Sequence, residues 1–177
     1  VRERLGQRHR NAHVLRVARL AARLARAHGL DPDRARHAAM LHDLARLWSD
    51  ERLLEGAAKR GIGIGAFERE NPIVLHAPLG AELAREEFGV NDEGVLSAIR
   101  KHTVADAVME PLDAVVYLAD GLEPGRDFPE RAALADLALV DLDAALAAVI
   151  ASSLRYLESR GLAAAPQTLA VAGITKE

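Results

Sequence analysis

Three places in this chain set a ligand-type side chain into an otherwise apolar helical face: His13, the adjacent pair His42-Asp43, and Asp120. The pair lies within Ala38-Ala-Met-Leu-His-Asp-Leu-Ala-Arg-Leu-Trp48, a stretch apolar on almost every side. Burying an imidazole and a carboxylate together is costly unless something satisfies them. Hydrogen-bonding neighbours could do so, and so could a metal ion that takes a ligand from each. Two neutral imidazoles and two carboxylates form a nitrogen–oxygen set that suits Fe, Mn, Co or Zn, with Mg less comfortable beside histidine. The chain has no cysteine, so neither disulfides nor thiolate ligands enter. Neighbours on one helix point about 100° apart, so His42 and Asp43 flank one ion only if it lies between their directions. The other ligands must then come from different helices, as His13 and Asp120 would. His76, beside two prolines, and His102, next to Lys101, add to the set, although each alone fits a surface or capping histidine. His9, His28 and His37 have no such setting and read as ordinary surface residues.

The elements that must position these groups are helical. Apolar residues recur at helical spacing from about Gln7 to His28, and Gly29 ends that run. Asp31-Pro32 supplies an N-cap and a first-position proline for a second helix carrying His42 and Asp43. Ser49 restarts a third, to about Arg60. Gly61-Ile-Gly-Ile-Gly65 lacks the spacing and the Lys-Ser/Thr of a phosphate-cradling loop, so it reads as a connection over a pocket. Further helices are predicted up to Phe88, from Glu93 to His102, from Leu112 to Ala119 ending in Asp120, from Pro129 to about Val140, and from Asp141 to Arg160. The tail from Leu162 is weakly patterned. No strand pair, repeat or low-complexity linker is visible. The expectation is an all-α bundle of some seven to nine helices, with residues 1–177 as one domain.

Half of the 177 residues are hydrophobic and only 3% are aromatic, so alanine, leucine and valine must build the core. The net charge of −3 gives no basic footprint for nucleic acid. All basic residues but Lys59, Lys101 and Lys176 are arginine, and Arg16, Arg19, Arg23 and Arg26 fall at the spacing of a solvated helix face. No signal peptide is visible, and no run approaches the ~18 apolar residues of a membrane span. A soluble cytoplasmic protein is therefore expected, with no nucleic-acid or membrane partner. The helix from Asp141 to Arg160 could pack internally, the default, or at a homodimer interface.

The order of these residues resembles the HD-domain superfamily of metal-dependent phosphohydrolases, and within it the bacterial YqeK family. Arg10-Asn-Ala-His13, Leu41-His-Asp-Leu44, Leu75-His-Ala-Pro-Leu-Gly80, Ala98-Ile-Arg-Lys-His-Thr103 and, above all, Tyr117-Leu-Ala-Asp-Gly-Leu-Glu-Pro-Gly-Arg-Asp-Phe128 carry the likeness. It covers nearly the whole chain. The resemblance implies symmetrical cleavage of diadenosine tetraphosphate to two ADP with bound iron. It implies metal ligands at His13, His42, Asp43 and Asp120, phosphate contacts or second-metal ligands at His76 and His102, and phosphate binding by Arg126. The chain departs from the family pattern at Arg16, where a glycine is usual, and at Gly121, where an aromatic is common.

A divalent ion would lower the pKa of a bound water and polarise a phosphoryl oxygen. Asp43 would ligate the ion or orient the nucleophile. His76, His102, Lys101 and Arg126 would neutralise charge gathering on the phosphate oxygens. Asp43, His76 and His102 are thus the expected catalytic groups, and His13 and Asp120 also border the substrate. A nucleotide phosphatase or nucleoside-triphosphate phosphohydrolase on the same site is the alternative chemistry. A nucleotide-binding module without turnover and a metal-free structural bundle are the alternatives of other classes.

Overall fold

Alanine on both faces of the first helical pair sets how closely it packs. Helix α1 (Arg8–Ala27) buries Val14, Val17, Ala18, Ala21, Leu24 and Ala25, and α2 (Pro32–Leu41) meets it with Ala35, Ala38, Ala39 and Leu41. Asp31 caps α2 by accepting from the backbone N–H groups of Asp33 and Arg34, and Pro32 fills a position whose missing N–H costs nothing. The computed structural model describes residues 8–173. After α2 come α3 (Asp50–Lys59, capped by Ser49), α4 (Ala66–Glu70), a 3₁₀ turn (Pro72–Leu75), α5 (His76–Phe88) and α6 (Glu93–Lys101, capped by Asp92). Then follow α7 (Pro111–Leu122), α8 (Arg131–Ala138), α9 (Leu142–Ser159) and α10 (Pro166–Val171).

Helix α7 is the axis of the fold. Every residue from Leu112 to Ala119 is buried. A helix that is apolar all round must be enclosed on all sides, and α1, α2, α6, α8 and α9 pack against this one. Helix α9 turns Leu142, Ala145, Val149 and Ile150 inward, onto α7 and α8. The all-α expectation holds: among the described residues there is no strand, and the α-helices number ten. The additions to the expected set are α4 and α10, too short for a 3.6-residue period to register. No helix among the described residues is long and apolar enough to cross a membrane.

One boundary differs from the sequence expectation in a way that matters. Helix α2 stops at Leu41, and residues 42–47 run on in turns instead of extending the helix to Trp48. Helix α5 crosses directly over this point. A Cβ on Gly80 would stand 3.1 Å from the carbonyl oxygen of His42, so only glycine permits the approach without a neighbour giving way.

Lys101, at the end of α6, donates from Nζ to Asp113 Oδ2 and to the Val108 carbonyl, each at 2.7 Å. Asp113 is fully buried at the start of α7, and its Oδ2 also accepts from the Glu110 N–H. Removing one partner of a buried ion pair leaves an uncompensated charge, at a cost of about 3–5 kcal/mol. Lys101→Met should therefore lower stability by about 3 kcal/mol, read as a shift of the urea midpoint at constant slope. An unchanged midpoint would mean that the pair does not hold α6 to α7.

Candidate metal centre

Three histidines reach the site by the same local device. Each follows the last turn of a helix, and its Nδ1 lies against a carbonyl three residues earlier: His42 on Ala39 at 2.6 Å, His76 on Ile73 at 2.5 Å and His102 on Ile99 at 2.7 Å. A carbonyl oxygen only accepts, so each Nδ1 carries the proton and donates it. The carbonyls so engaged belong to helix ends and have acceptor capacity to spare, that of Ile73 also accepting the His76 backbone N–H. With Nδ1 so engaged, each ring turns its Nε2 away from the backbone and toward the site. His13, in the second turn of α1, reaches the same state by another route, donating from Nδ1 to Glu123 Oε1 at 3.1 Å.

The Nε2 atoms and the carboxylates of Asp43 and Asp120 converge. Asp43 is central: its Oδ1 lies 3.4 Å from His76 Nε2 and 4.0 Å from His102 Nε2. Its Oδ2 lies 3.6 Å from His42 Nε2 and 3.9 Å from His13 Nε2. Asp120 Oδ1, from the last turn of α7, is 3.1 Å from His13 Nε2 and 3.9 Å from His42 Nε2. The trios His13–His42–Asp43, His42–His102–Asp120 and Asp43–His76–His102 each bring their donor atoms within 4.8 Å of one another. His13 Nε2 and His42 Nε2 are fully buried without a hydrogen-bond partner; the 3.1 Å approach to Asp120 lacks the angle for one. A buried, unsatisfied polar atom costs about 1–3 kcal/mol. Two such lone pairs facing two carboxylates fit a divalent metal ion, whose coordination would satisfy all of them.

Electrostatics favours the charged carboxylates. Burial pushes Asp43 up, but the imidazoles of His42, His76 and His102 outweigh it and hold the carboxyl well below its usual range. Asp120 is likewise low despite burial, because of His13, His42 and Arg126. His13 moves upward, since the carboxylates of Asp120 and Glu123 overcome its burial. His102 is pushed down to about 3, first by burial and then by His42 and His76. It therefore offers a lone pair at neutral pH.

His13, Asp43, His76, His102 and Asp120 form the floor of a cavity of about 310 Å³ that is also lined by Arg10, Arg46, Thr103 and Arg126 and, on its apolar side, by Ile73, Tyr117, Gly121 and Val149. Arg10 donates from Nη1 to Asp43 Oδ2 at 3.0 Å, and Arg126 from Nη2 to Asp120 Oδ1 at 2.6 Å. Thr103 Oγ1 stands 3.2 Å from His76 Nε2 and 3.0 Å from His102 Nε2, which are themselves 3.1 Å apart. The guanidinium of Arg46, half-buried, makes no hydrogen bond or ion pair with any described residue, and burial, then Arg10, lowers its pKa.

The structure thus gathers His13, Asp43, His76, His102, Asp120 and Arg126 around one cavity, with His42 fully buried behind Asp43 and Asp120. It does not bring Lys101 there: bound to Asp113, Lys101 lines a separate cavity together with Ile62 and Gly63 of the glycine-rich loop. His28 is also corrected, being half-buried with Nε2 donating to the Ala138 carbonyl at 2.7 Å, while His37 is exposed and the side chain of His9 lies outside the described residues. Sequence reasoning missed Arg10, Arg46, Thr103 and Glu123. Their only signal was proximity: Arg46 follows Asp43 by one helical turn, and Glu123 follows Asp120 by one.

Comparison with known proteins agrees with this geometry. Residues 10–125 match the HD domain family. A symmetrical bis(5'-nucleosyl)-tetraphosphatase of Bacillus subtilis is 36% identical over 160 residues, which is 90% of this chain and 86% of that protein. Another of that name, from Staphylococcus aureus, is 31% identical over 137 residues, 77% of this chain and 70% of its own. The crystal structure of a predicted HD superfamily hydrolase involved in NAD metabolism, from Clostridium acetobutylicum, superposes with a TM-score of 0.93 at 31% identity, covering 97% of this chain and 90% of that one.

The depressed pKa of His102 has a consequence for the metal-free protein. Between its folded value of about 3 and the ordinary histidine value near 6.5, the unfolded chain holds a proton that the folded one does not. Stability must then rise with pH across that window, by on the order of 1 kcal/mol per unit. His13 adds no slope below about 6.5, being protonated in both states. The lowered carboxylates contribute stability that is lost only at more acid pH. Urea unfolding from pH 6 to pH 4.5 should give this slope, and His102→Asn should reduce it; equal slopes would contradict the assignment.

Proposed function

Because this chain belongs to the HD-domain family, in the branch of the symmetrical bis(5'-nucleosyl)-tetraphosphatases, we propose that it hydrolyses diadenosine tetraphosphate into two ADP. The observation that carries the reading is the convergence of buried, partnerless Nε2 atoms and ionised carboxylates beneath a cavity rimmed by arginine. His13, His42, Asp43 and Asp120 would hold the metal. Iron suits that mixed imidazole–carboxylate set. When bound, a divalent ion in such a set lowers the pKa of water and polarises a phosphoryl oxygen.

The remaining work belongs to the chain. Asp43, held ionised, faces His76 and His102 with Oδ1 and orients the attacking water against them. His102 is neutral at pH 7 and accepts a hydrogen bond from that water. The Thr103 hydroxyl has one proton and can satisfy only one of the paired Nε2 atoms, leaving the other available. Arg46 grips the phosphate chain through its planar fork, being the lining guanidinium that no carboxylate already engages. Arg10 and Arg126 flank it and stabilise negative charge as the new O–P bond forms and the bridging P–O bond breaks. At about 310 Å³ the cavity is at the lower end of small-ligand sites. It holds one nucleoside diphosphate half and leaves the other half to depart.

A product-resolved assay tests the reading. Purified protein with diadenosine tetraphosphate and Fe(II), Mn(II), Co(II) or Mg(II) should release ADP alone, and only with metal. Orthophosphate as the main product would point to a nucleotidase, and no turnover with any metal would overturn the proposal. The double variant His42→Ala/Asp43→Ala should lose bound metal and activity while its helical circular dichroism persists. Arg46→Met should raise KM by roughly tenfold or more, the scale of one charge-assisted hydrogen bond, with partial recovery in Arg46→Lys.

A further inference from the structure

The turn after α7 binds itself to a guanidinium that the proposed chemistry does not use. Glu123 leaves α7 in an extended conformation, and its carboxylate is buried to 2% exposure. There it collects four donors. His13 Nδ1 gives to Oε1 at 3.1 Å, Arg16 gives through Nε to Oε2 at 2.5 Å and through Nη2 to Oε1 at 3.1 Å, and the Gly125 N–H gives to Oε2 at 2.5 Å. Arg16 lies one turn beyond His13 on α1, so a single helix supplies both a proposed ligand and the residue that locks its carboxylate partner. Gly125 is shaped to this arrangement: a Cβ there would collide with the Arg16 guanidinium, its Nε lying 2.8 Å away. Within the same turn, Arg126 reaches back to Asp120, donating from Nε to its carbonyl oxygen and from Nη2 to Oδ1.

We propose that Arg16 is a positioning residue for the metal centre, acting through Glu123 to fix the ring of His13 with Nε2 directed into the site. This inference rests on the reading of His13 and His42 as ligands. The bidentate fork leaves Glu123 a single orientation, and that orientation decides which His13 nitrogen is protonated. Without Arg16 the carboxylate keeps the Gly125 N–H and His13 as partners but loses its fixed plane. His13 is then free to swing toward Asp120.

Co(II) is the probe, followed by its visible ligand-field absorption in titrations of the metal-free protein. Arg16→Met should weaken Co(II) binding about tenfold, the effect of losing an outer partner of a ligating histidine. Arg16→Lys should recover part of the loss. Glu123→Gln should weaken binding comparably, and the double variant Arg16→Met/Glu123→Gln should lose little more, because the two act in series. Gly125→Ala keeps the charge but displaces the guanidinium, so it too should weaken binding, and this variant decides the matter if Arg16→Met does not fold. Unchanged Co(II) affinity and spectrum in folded Arg16→Met or Gly125→Ala would overturn the inference. His42→Ala in the same titration separates the two levels. If it abolishes binding while Arg16→Met does not alter it, only the role of Arg16 falls. If His42→Ala itself binds Co(II) as the parent does, the reading of the centre fails, and this inference with it.

Discussion

The hydrogen bond from a histidine Nδ1 to a carbonyl three residues earlier is the constraint on which the site depends. It occurs at His42 and His102, where α2 and α6 stop, and at His76, where the 3₁₀ turn gives way to α5. In each case it takes up a lone pair of a helix-end carbonyl and leaves the far nitrogen of the ring turned toward the site. The helices must therefore end where they do. If α2 ran on to Trp48, the Ala39 carbonyl would take a backbone partner, and His42 and Asp43 would diverge around an unbroken helix. Gly80 enforces the stop by letting α5 lie against the His42 carbonyl. Fold and site are thus one problem: packing decides the helix ends, and the helix ends decide the tautomers.

The rest of the architecture holds these ends together in a setting that would otherwise reject charge. Helix α7, enclosed on all sides, brings Asp120 to the cluster from the core. The buried carboxylates remain ionised because imidazoles and guanidinium groups surround them, both oxygens of Asp43 and Oδ1 of Asp120 facing at least one such group within 4 Å. Arginine does most of this work. Arg10, Arg16 and Arg126 each stand on a carboxylate of the site or of its supporting turn, while Arg46 stands on none. That division separates guanidinium groups tied to a carboxylate from one that faces the cavity without such a partner among the described residues.

Much of this was legible in the residues before the fold was known. The caps Asp31-Pro32, Ser49, Asp92 and Asp141 mark real helix starts. Ligand-type side chains breaking apolar faces identify His13, His42, Asp43 and Asp120, because a packed helix tolerates such residues only where something compensates them. Periodicity could not separate Lys101 from His102. Both end α6, yet one turns to Asp113 and the other to Asp43, a difference set by where α7 lies. Nor could it show that Arg16, on what reads as a solvated arginine stripe, meets Glu123 from more than a hundred residues away. Long-range pairing of that kind exists only in the packed chain.

If the proposed centre is right, the Nε2 atoms of His13 and His42 and the carboxylates of Asp43 and Asp120 share one ion. Anomalous diffraction from crystals grown with Zn(II), recorded on both sides of the zinc edge, tests it most directly. A zinc peak is expected within about 2.0–2.2 Å of both Nε2 atoms and of a carboxylate oxygen from each aspartate. A zinc peak elsewhere on the molecule, with His13 and His42 still lacking a partner, would contradict it.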